Sequence, residues 1–338
     1  MAISKKTDPD YANGARRMLE EFNVLYEKYK IDYKIIYTDS FEEINKDNDY
    51  TGFIRFIHDR IPENTMIYAC ENDVTDYINY KFIVKELADI NKCNDINDER
   101  VLVFCQPVYD LKHDRFDTAE ALMRLKLPKL GIIPPDMFIP IAEREHYITT
   151  LTRIILNKTC KAIKKLNDED FRVQRISVNF STYDLMSDEF FSDVESIIKQ
   201  NGIDPMQIAI EITESQNERE FELIKNRISQ LKGSGIKFYL DDFGTGYSNF
   251  ERIMELPFDI VKFDRSMVIA SGNSMKYRTM VSHLAEMFNQ MDYDVLYEGI
   301  ENFDDEVRCI NMKANYLQGY KYSRPIPIEA LSEFFEKG

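Results

Sequence analysis

The chain has 338 residues, 44% of them hydrophobic and 30% charged, and a formal net charge of −16. That length accommodates one large domain plus a small one, and the acidic balance has the wrong sign for coating long nucleic acid or an anionic membrane. The five cysteines are odd in number, widely spaced and free of any C-x-x-C pair, which argues against a disulfide framework or zinc site and fits a reducing, cytoplasmic compartment.

In chain order, residues 1–95 read as a small α/β segment. ARRMLEEFNVLYEKYK predicts a helix, YKIIYTD a strand, FIRFIHDRI a helix, NTMIYAC a strand and DYINYKFIVKELADINK a helix. The polar stretch NKCNDINDER marks the boundary with a second domain over 98–338. No apolar run is long enough to insert into a membrane. From Val101 onward, strands and helices alternate. VLVFCQPVYDL and RFDTAEALMRL are the first two strands, and a helix follows over 148–166. Further strands are predicted at 175–181, 208–215, 237–244, 259–264, 294–301 and 314–323. Helices fall between them, near 247–256, 275–291 and 303–312 among others, and a last helix follows Pro325 and Pro327. Repeated βα units with buried strands imply parallel pairing. Eight strands in this length predict an α/β fold, a TIM-type (β/α)8 barrel. An open doubly wound sheet would normally carry a glycine-rich first turn, and none is present.

Carboxylates and amides recur at the predicted strand ends, where a barrel builds its active face. Glu120 lies in the second strand and Asn179 ends RISVN. Glu211 and Glu214 sit in EITES, and Asp241 and Asp242 close KFYLDD. Lys262 and Asp264 close IVKFD, Glu298 and Glu301 close LYEGIE, and Gln318 lies in YLQGY. Singly, each has a plain structural explanation: Glu301 or Asp264 as a helix cap or solvated charge, Lys262 as an ion-pair partner, Asn179 as a turn residue. Together, so many acids at one rim would repel unless cations neutralised them. Hard oxygen donors of this kind suit Mg2+ or Mn2+. Any of these oxygen donors, Glu120, Asn179, Glu211, Asp241, Asp242, Asp264 and Glu298 among them, is a candidate metal ligand. A pair of ions bridged by a carboxylate is a common device for phosphodiester hydrolysis.

The same residues resemble the EAL-domain cyclic-di-GMP phosphodiesterases over about 101–335. Glu120-Ala121-Leu122 is followed by Arg124 and Pro128, then by PPDMFIPIAE, SVNFS, EITES, DDFGTGYSN, VKFDRS, YEGIE and QGYKYSRP in the family's order. The resemblance implies a barrel whose first strand is antiparallel to the rest, and hydrolysis of cyclic di-GMP to linear pGpG with two metal ions, Ca2+ inhibiting. It implies that Glu120, Asn179, Glu211 and Asp241 hold one ion, and that Asp241 bridges to a second held with Asp242 and Glu298. Lys262 would activate the water, with Glu298 and Gln318 assisting. Gln106, Arg124, Glu120 and Glu301 would face the substrate, and Glu214 would brace the loop after Asp242, which couples to a homodimer contact through the barrel. Departures are Leu125 where tryptophan is usual, and Tyr297, Asn302 and Lys321 at flanking positions.

YKIIYTDSFEEIN loosely resembles part of the diguanylate cyclase (GGDEF) domain, which often precedes such barrels, but no Gly-Gly-Asp/Glu-Glu-Phe occurs. A degenerate or truncated remnant is one reading of residues 1–95, and an unrelated small domain or a helical lead-in is another. The alternative function is a catalytically silent cyclic-di-GMP receptor or signalling scaffold.

Overall fold

In the computed structural model, which describes residues 52, 53, 55, 71–213, 218–245 and 250–337, the apolar runs become strands. β1 (Val101–Asp110) and β2 (Arg115–Leu127) form a long antiparallel pair, and the short β3 (Gly131–Ile133) folds back on the end of β2. β4 (Arg175–Asn179), β5 (Ile208–Thr213), β6 (Lys237–Phe243), β7 (Ile260–Phe263), β8 (Asp294–Tyr297) and β9 (Tyr316–Gln318) then follow, all parallel to β2. β1 lies between β9 and β2, antiparallel to both, and so closes eight strands into a barrel. The two-residue β10 (Ile326–Pro327) pairs with β1 outside that ring. The chain thus adopts the TIM-type barrel with an antiparallel first strand.

Two compact units divide within α1 (Glu71–Cys93), between Glu86 and Leu87. In the first unit, Phe53 and Tyr77 are buried and meet edge to face, ring centroids 5.4 Å apart. The helix expected over 76–92 is found within α1. The expected elements at 15–30, 33–39 and 64–70, and most of 53–61, lie outside the described residues.

In the second unit, α2 (Ile139–Arg144) leads into α3 (Ile148–Asp168), which buries Ile148, Leu151, Thr152, Ile155, Thr159, Ile163 and Leu166. Spacings of three and four keep these on one face, which packs on β1. α4 (Thr182–Met186) starts in a reciprocal capping box between Ser181 and Asp184, and α5 (Asp188–Asn201) ends on Gly202 at φ +67°, a left-handed cap that favours glycine. α6 (Glu218–Gly233), α7 (Phe250–Glu255), α8 (Arg265–Asn273), α9 (Met275–Gln290) and α10 (Phe303–Asn311) complete the series. Among the described residues, no helix is long and apolar enough to cross a membrane.

Three expectations change. The last predicted helix is a 3₁₀ turn over Ile328–Glu333, with Ile328 and Leu331 buried three residues apart, the spacing of such a turn. α8 occupies RSMVIASGN, where the sequence suggested no element. The strands expected over 294–301 and 314–323 stop at Tyr297 and Gln318, so Glu298 and Glu301 stand on the loop beyond β8.

Inside the barrel, Val108, Ala209, Tyr239, Ile260, Leu296 and Tyr316 form one buried apolar cluster. Side chains two apart on a strand share a face. Two residues further on stand Glu211, Asp241, Lys262 and Gln318 on their strands and Glu298 just past the end of β8. On β1 the corresponding residue, Gln106, comes two earlier, because that strand runs the other way. An apolar layer thus supports a polar one at the carboxyl ends of the parallel strands.

Candidate active site

Lys262, at the centre of this polar layer, is 1% exposed. Its Nζ lies 2.7 Å from Glu211 Oε2, 2.8 Å from Glu298 Oε1, 2.9 Å from Asp241 Oδ1 and 3.4 Å from Glu120 Oε2. An ammonium has three protons, so four carboxylates oversubscribe it. Asp241 Oδ1, although close, makes no hydrogen bond and is left buried without one. Glu120 is held on both oxygens: Asn179 Nδ2 donates to Oε1 at 2.9 Å and Gln318 Nε2 to Oε2 at 2.8 Å. Gln318 Nε2 also lies 3.4 Å from Gln106 Oε1, and Gln318 Oε1 is buried without a partner.

The electrostatics follow from one cation among many acids. Burial opposes the charge on Lys262, but Asp241, Glu120, Glu211 and Glu298 outweigh it and hold the amine well above its usual range. Burial, then Glu120 and Asp241, push Glu211 well up, with Lys262 pulling back. Burial also raises Glu298, to about 8, Lys262 opposing and Asp241 and Glu120 adding. Burial would raise Glu120 too, yet Lys262, Gln318 and Asn179 bring it below the ordinary value. The cluster is short of positive charge.

Asp241 and Asp242 reach this cluster through a backbone irregularity. Adjacent residues on a regular strand point to opposite faces. Here β6 loses register with β7 between Leu240 and Phe243, and Asp242 takes φ +55°, a left-handed conformation that aspartate tolerates better than most residues. As a result, one oxygen each of Asp241, Asp242 and Glu298 lie within 4.8 Å of one another, as ligands of a cation could. Burial, then Asp241, raises the carboxyl of Asp242.

The structure therefore brings Gln106, Glu120, Asn179, Glu211, Asp241, Asp242, Lys262, Glu298 and Gln318 to one mouth. Glu120 stands in the middle of β2, not at its end, one residue before the last that pairs with β4. Asp264 caps α8, its Oδ1 accepting from Ser266 N at 2.8 Å, and stands beside the cluster rather than in the triad with Asp241 and Asp242. Glu301 pairs with Arg265. Arg124 donates to Met123 O at 2.8 Å and lies over the Phe104 ring, 5.6 Å from its centroid. Glu214 lies outside the described residues. Sequence reasoning missed Arg265, whose only signal was a basic residue just past a strand end that already carried a lysine and an acid.

Two cavities open beside the carboxylates. One, of about 310 Å3, is lined by Gln106, Glu120, Arg265, Glu298, Glu301 and Tyr320 among others. The second, of about 440 Å3, runs past Asn179, Asp241 and Asp242 towards Pro135 and Glu143. The donor set of carboxylate and amide oxygens, with two buried oxygens lacking partners, fits a hard divalent cation.

Comparison with known proteins gives the same picture. The family model described as EAL domain matches residues 93–325. The chain is 27% identical over 275 residues to "Signaling protein YkoW" of Bacillus subtilis, covering 80% of this chain and 34% of that protein. It is 25% identical over 270 residues to "Cyclic di-GMP phosphodiesterase NbdA" of Pseudomonas aeruginosa, covering 79% and 34%. It thus spans about a third of the length of these curated relatives. Its fold resembles the solved "PaMucR Phosphodiesterase, c-di-GMP complex" with a TM-score of 0.66 at 24% identity, over 73% of this chain and 99% of that one.

Proposed function

The chain belongs to the EAL domain family, and on that premise we propose that its barrel is a phosphodiesterase that opens one phosphodiester bond of cyclic di-GMP to give linear pGpG. The observation that carries the reading is Lys262 Nζ within 3.4 Å of the carboxylates of Glu120, Glu211, Asp241 and Glu298. The name of the Pseudomonas relative and the ligand of the solved neighbour support it. So do the two cavities flanking the cluster, since a cyclic dinucleotide has two bases to place.

Glu120, Asn179, Glu211 and Asp241 would hold one Mg2+ or Mn2+, and Asp241, Asp242 and Glu298 a second, with Asp264 alongside. Bound there, such ions supply Lewis acidity to the phosphate and make a water acidic enough to attack. The protein's own groups do the rest. Lys262, kept cationic by its neighbours, donates to the attacking water and orients it. Gln318 anchors Glu120 and assists beside the phosphate. Gln106, Arg124 and Glu301 contact the nucleotide. Water adds in line to phosphorus, the bond to the 3′-oxygen breaks, and the proton lost by the water ends on that oxygen. Ca2+ inhibits, because a larger and geometrically lax ion places the nucleophile poorly.

The wider organisation is part of the same proposal. Residues 98–338 form the catalytic domain, and residues 1–95 a separate small domain for which a degenerate GGDEF-like remnant is one origin. Glu214 braces the loop after Asp242, the barrel pairs as a homodimer, and the protein acts in the cytoplasm in second-messenger signalling. The test is product analysis of the purified chain with cyclic di-GMP and Mn2+, and again with Ca2+. Formation of pGpG only with Mn2+ is the expected result. Tight nucleotide binding without product would make the protein a silent receptor instead.

A further inference from the structure

Arg265 is the first residue of α8, just beyond the strand that delivers Lys262. Its stem crosses Gly299, which sits at φ +72°, and a Cβ there would collide with Arg265 Cβ, Cγ and Cδ. The guanidinium ends on Glu301, Nη2 to Oε1 at 2.5 Å, with the two side chains 54% and 46% exposed. Ion pairs this exposed contribute little, so the guanidinium is easily released.

Its setting gives that release a purpose. Among the described residues lining the two cavities beside the carboxylate cluster, Arg265 is the one cation, and the cavity it lines also presents Glu120, Glu298 and Glu301. Lys262 is buried among the carboxylates at the cleaved phosphate, and Arg124, the other basic contact proposed for the nucleotide, donates to Met123 O and lies outside the lining of both cavities. A cyclic dinucleotide carries two phosphodiester charges. The metal site accounts for the one being cleaved; the other must enter acidic surroundings and needs a counter-charge. A guanidinium fork suits a phosphodiester's two free oxygens.

We propose that Arg265 leaves Glu301 and grips the second, uncleaved phosphodiester of the bound ring, selecting substrates that carry two phosphates over those with one. The assignment rests on the phosphodiesterase reading above. Gly299 belongs to the device, since any side chain there would push the arginine stem off its path.

The experiment compares wild type, R265A and R265K on cyclic di-GMP and on bis(p-nitrophenyl) phosphate, which has a single phosphodiester. Rates are measured with Mn2+, and cyclic di-GMP affinity with Ca2+. In R265A, KM and Kd for cyclic di-GMP are expected to rise about tenfold or more, with kcat within about threefold. The preference for the dinucleotide should fall by the same factor, and R265K should restore part of it. Unchanged KM and Kd in R265A, or equal losses on both substrates, would overturn the assignment. Should R265A melt below wild type, R265Q and R265K carry the same comparison. A wild type that neither binds nor cleaves cyclic di-GMP would defeat the functional reading itself, an outcome distinct from an unaffected R265A.

Discussion

Lys262 Nζ and Glu211 Oε2 lie 2.7 Å apart, each side chain 1% exposed. Removing one member of such a pair leaves the other charge buried and unmatched. Lys262→Ala should therefore destabilise the metal-free protein by about 3 kcal/mol and abolish turnover, while metal binding persists. Thermal melting with and without Mn2+ checks this: added ions should recover much of the lost stability but none of the rate. Wild-type turnover in the variant would remove Lys262 from the mechanism.

Glu120 fastens three strands, accepting from Asn179 and Gln318. Glu120→Ala should lower turnover by on the order of a hundredfold or more, the upper end of what even an outer partner of a metal ligand costs. Circular dichroism should show the barrel intact, and Mn2+ titration should show one weakened ion. A variant with normal affinity for both ions would place Glu120 elsewhere in the chemistry.

Asp242 does two things, which substitutions separate. Asn accepts φ +55° and should keep the fold while losing a ligand. Val should lose the ligand and cost about 1–2 kcal/mol more, through the left-handed backbone. Denaturant melts of D242N and D242V measure the difference; equal stabilities would mean that the β6 irregularity relaxes freely.

The pH dependence follows from Glu298. Burial first, then Asp241 and Glu120 against Lys262, raise its carboxyl to about 8 in the metal-free protein. Because the folded value exceeds the unfolded one, this group's contribution to stability is full below about 4.5 and is lost as pH rises through about 8. A cation must expel that proton to bind. Apparent Mn2+ affinity should therefore rise about tenfold per pH unit on approach to pH 8 and level off above it. E298Q should flatten the slope, and calorimetry in buffers of different ionisation enthalpy counts the proton released.

The barrel and most of its mouth were legible because their signals are local. Apolar runs with a polar residue near the end announce both a strand and a candidate site residue, as at Glu211, Lys262 and Gln318. What was not legible depends on partners distant in sequence. The turn of Asp242 towards its neighbour arises from lost pairing with β7, which no propensity encodes. The path of the Arg265 stem is visible only once Gly299, from the loop after the next strand, lies against it. Asp264 also caps α8, a second use that a strand-end acid does not announce in sequence. The expected strand tails at Glu298 and Glu301 failed because β8 pairs with β9 only through Leu296 and Tyr297, and the glycine that follows turns the chain.

The reversed first strand also governs when the molecule can work. Its partners are β2, which immediately follows it, and β9, so Gln106 meets a glutamine 212 positions later in the chain. During synthesis the β1–β2 hairpin can pair early, but the ring of carboxylates stays open on one side until β9 has been made. A chain lacking β9 would have Glu120 without one of its two clamps and the barrel wall open. A complete polar layer therefore waits until β9 has paired with β1.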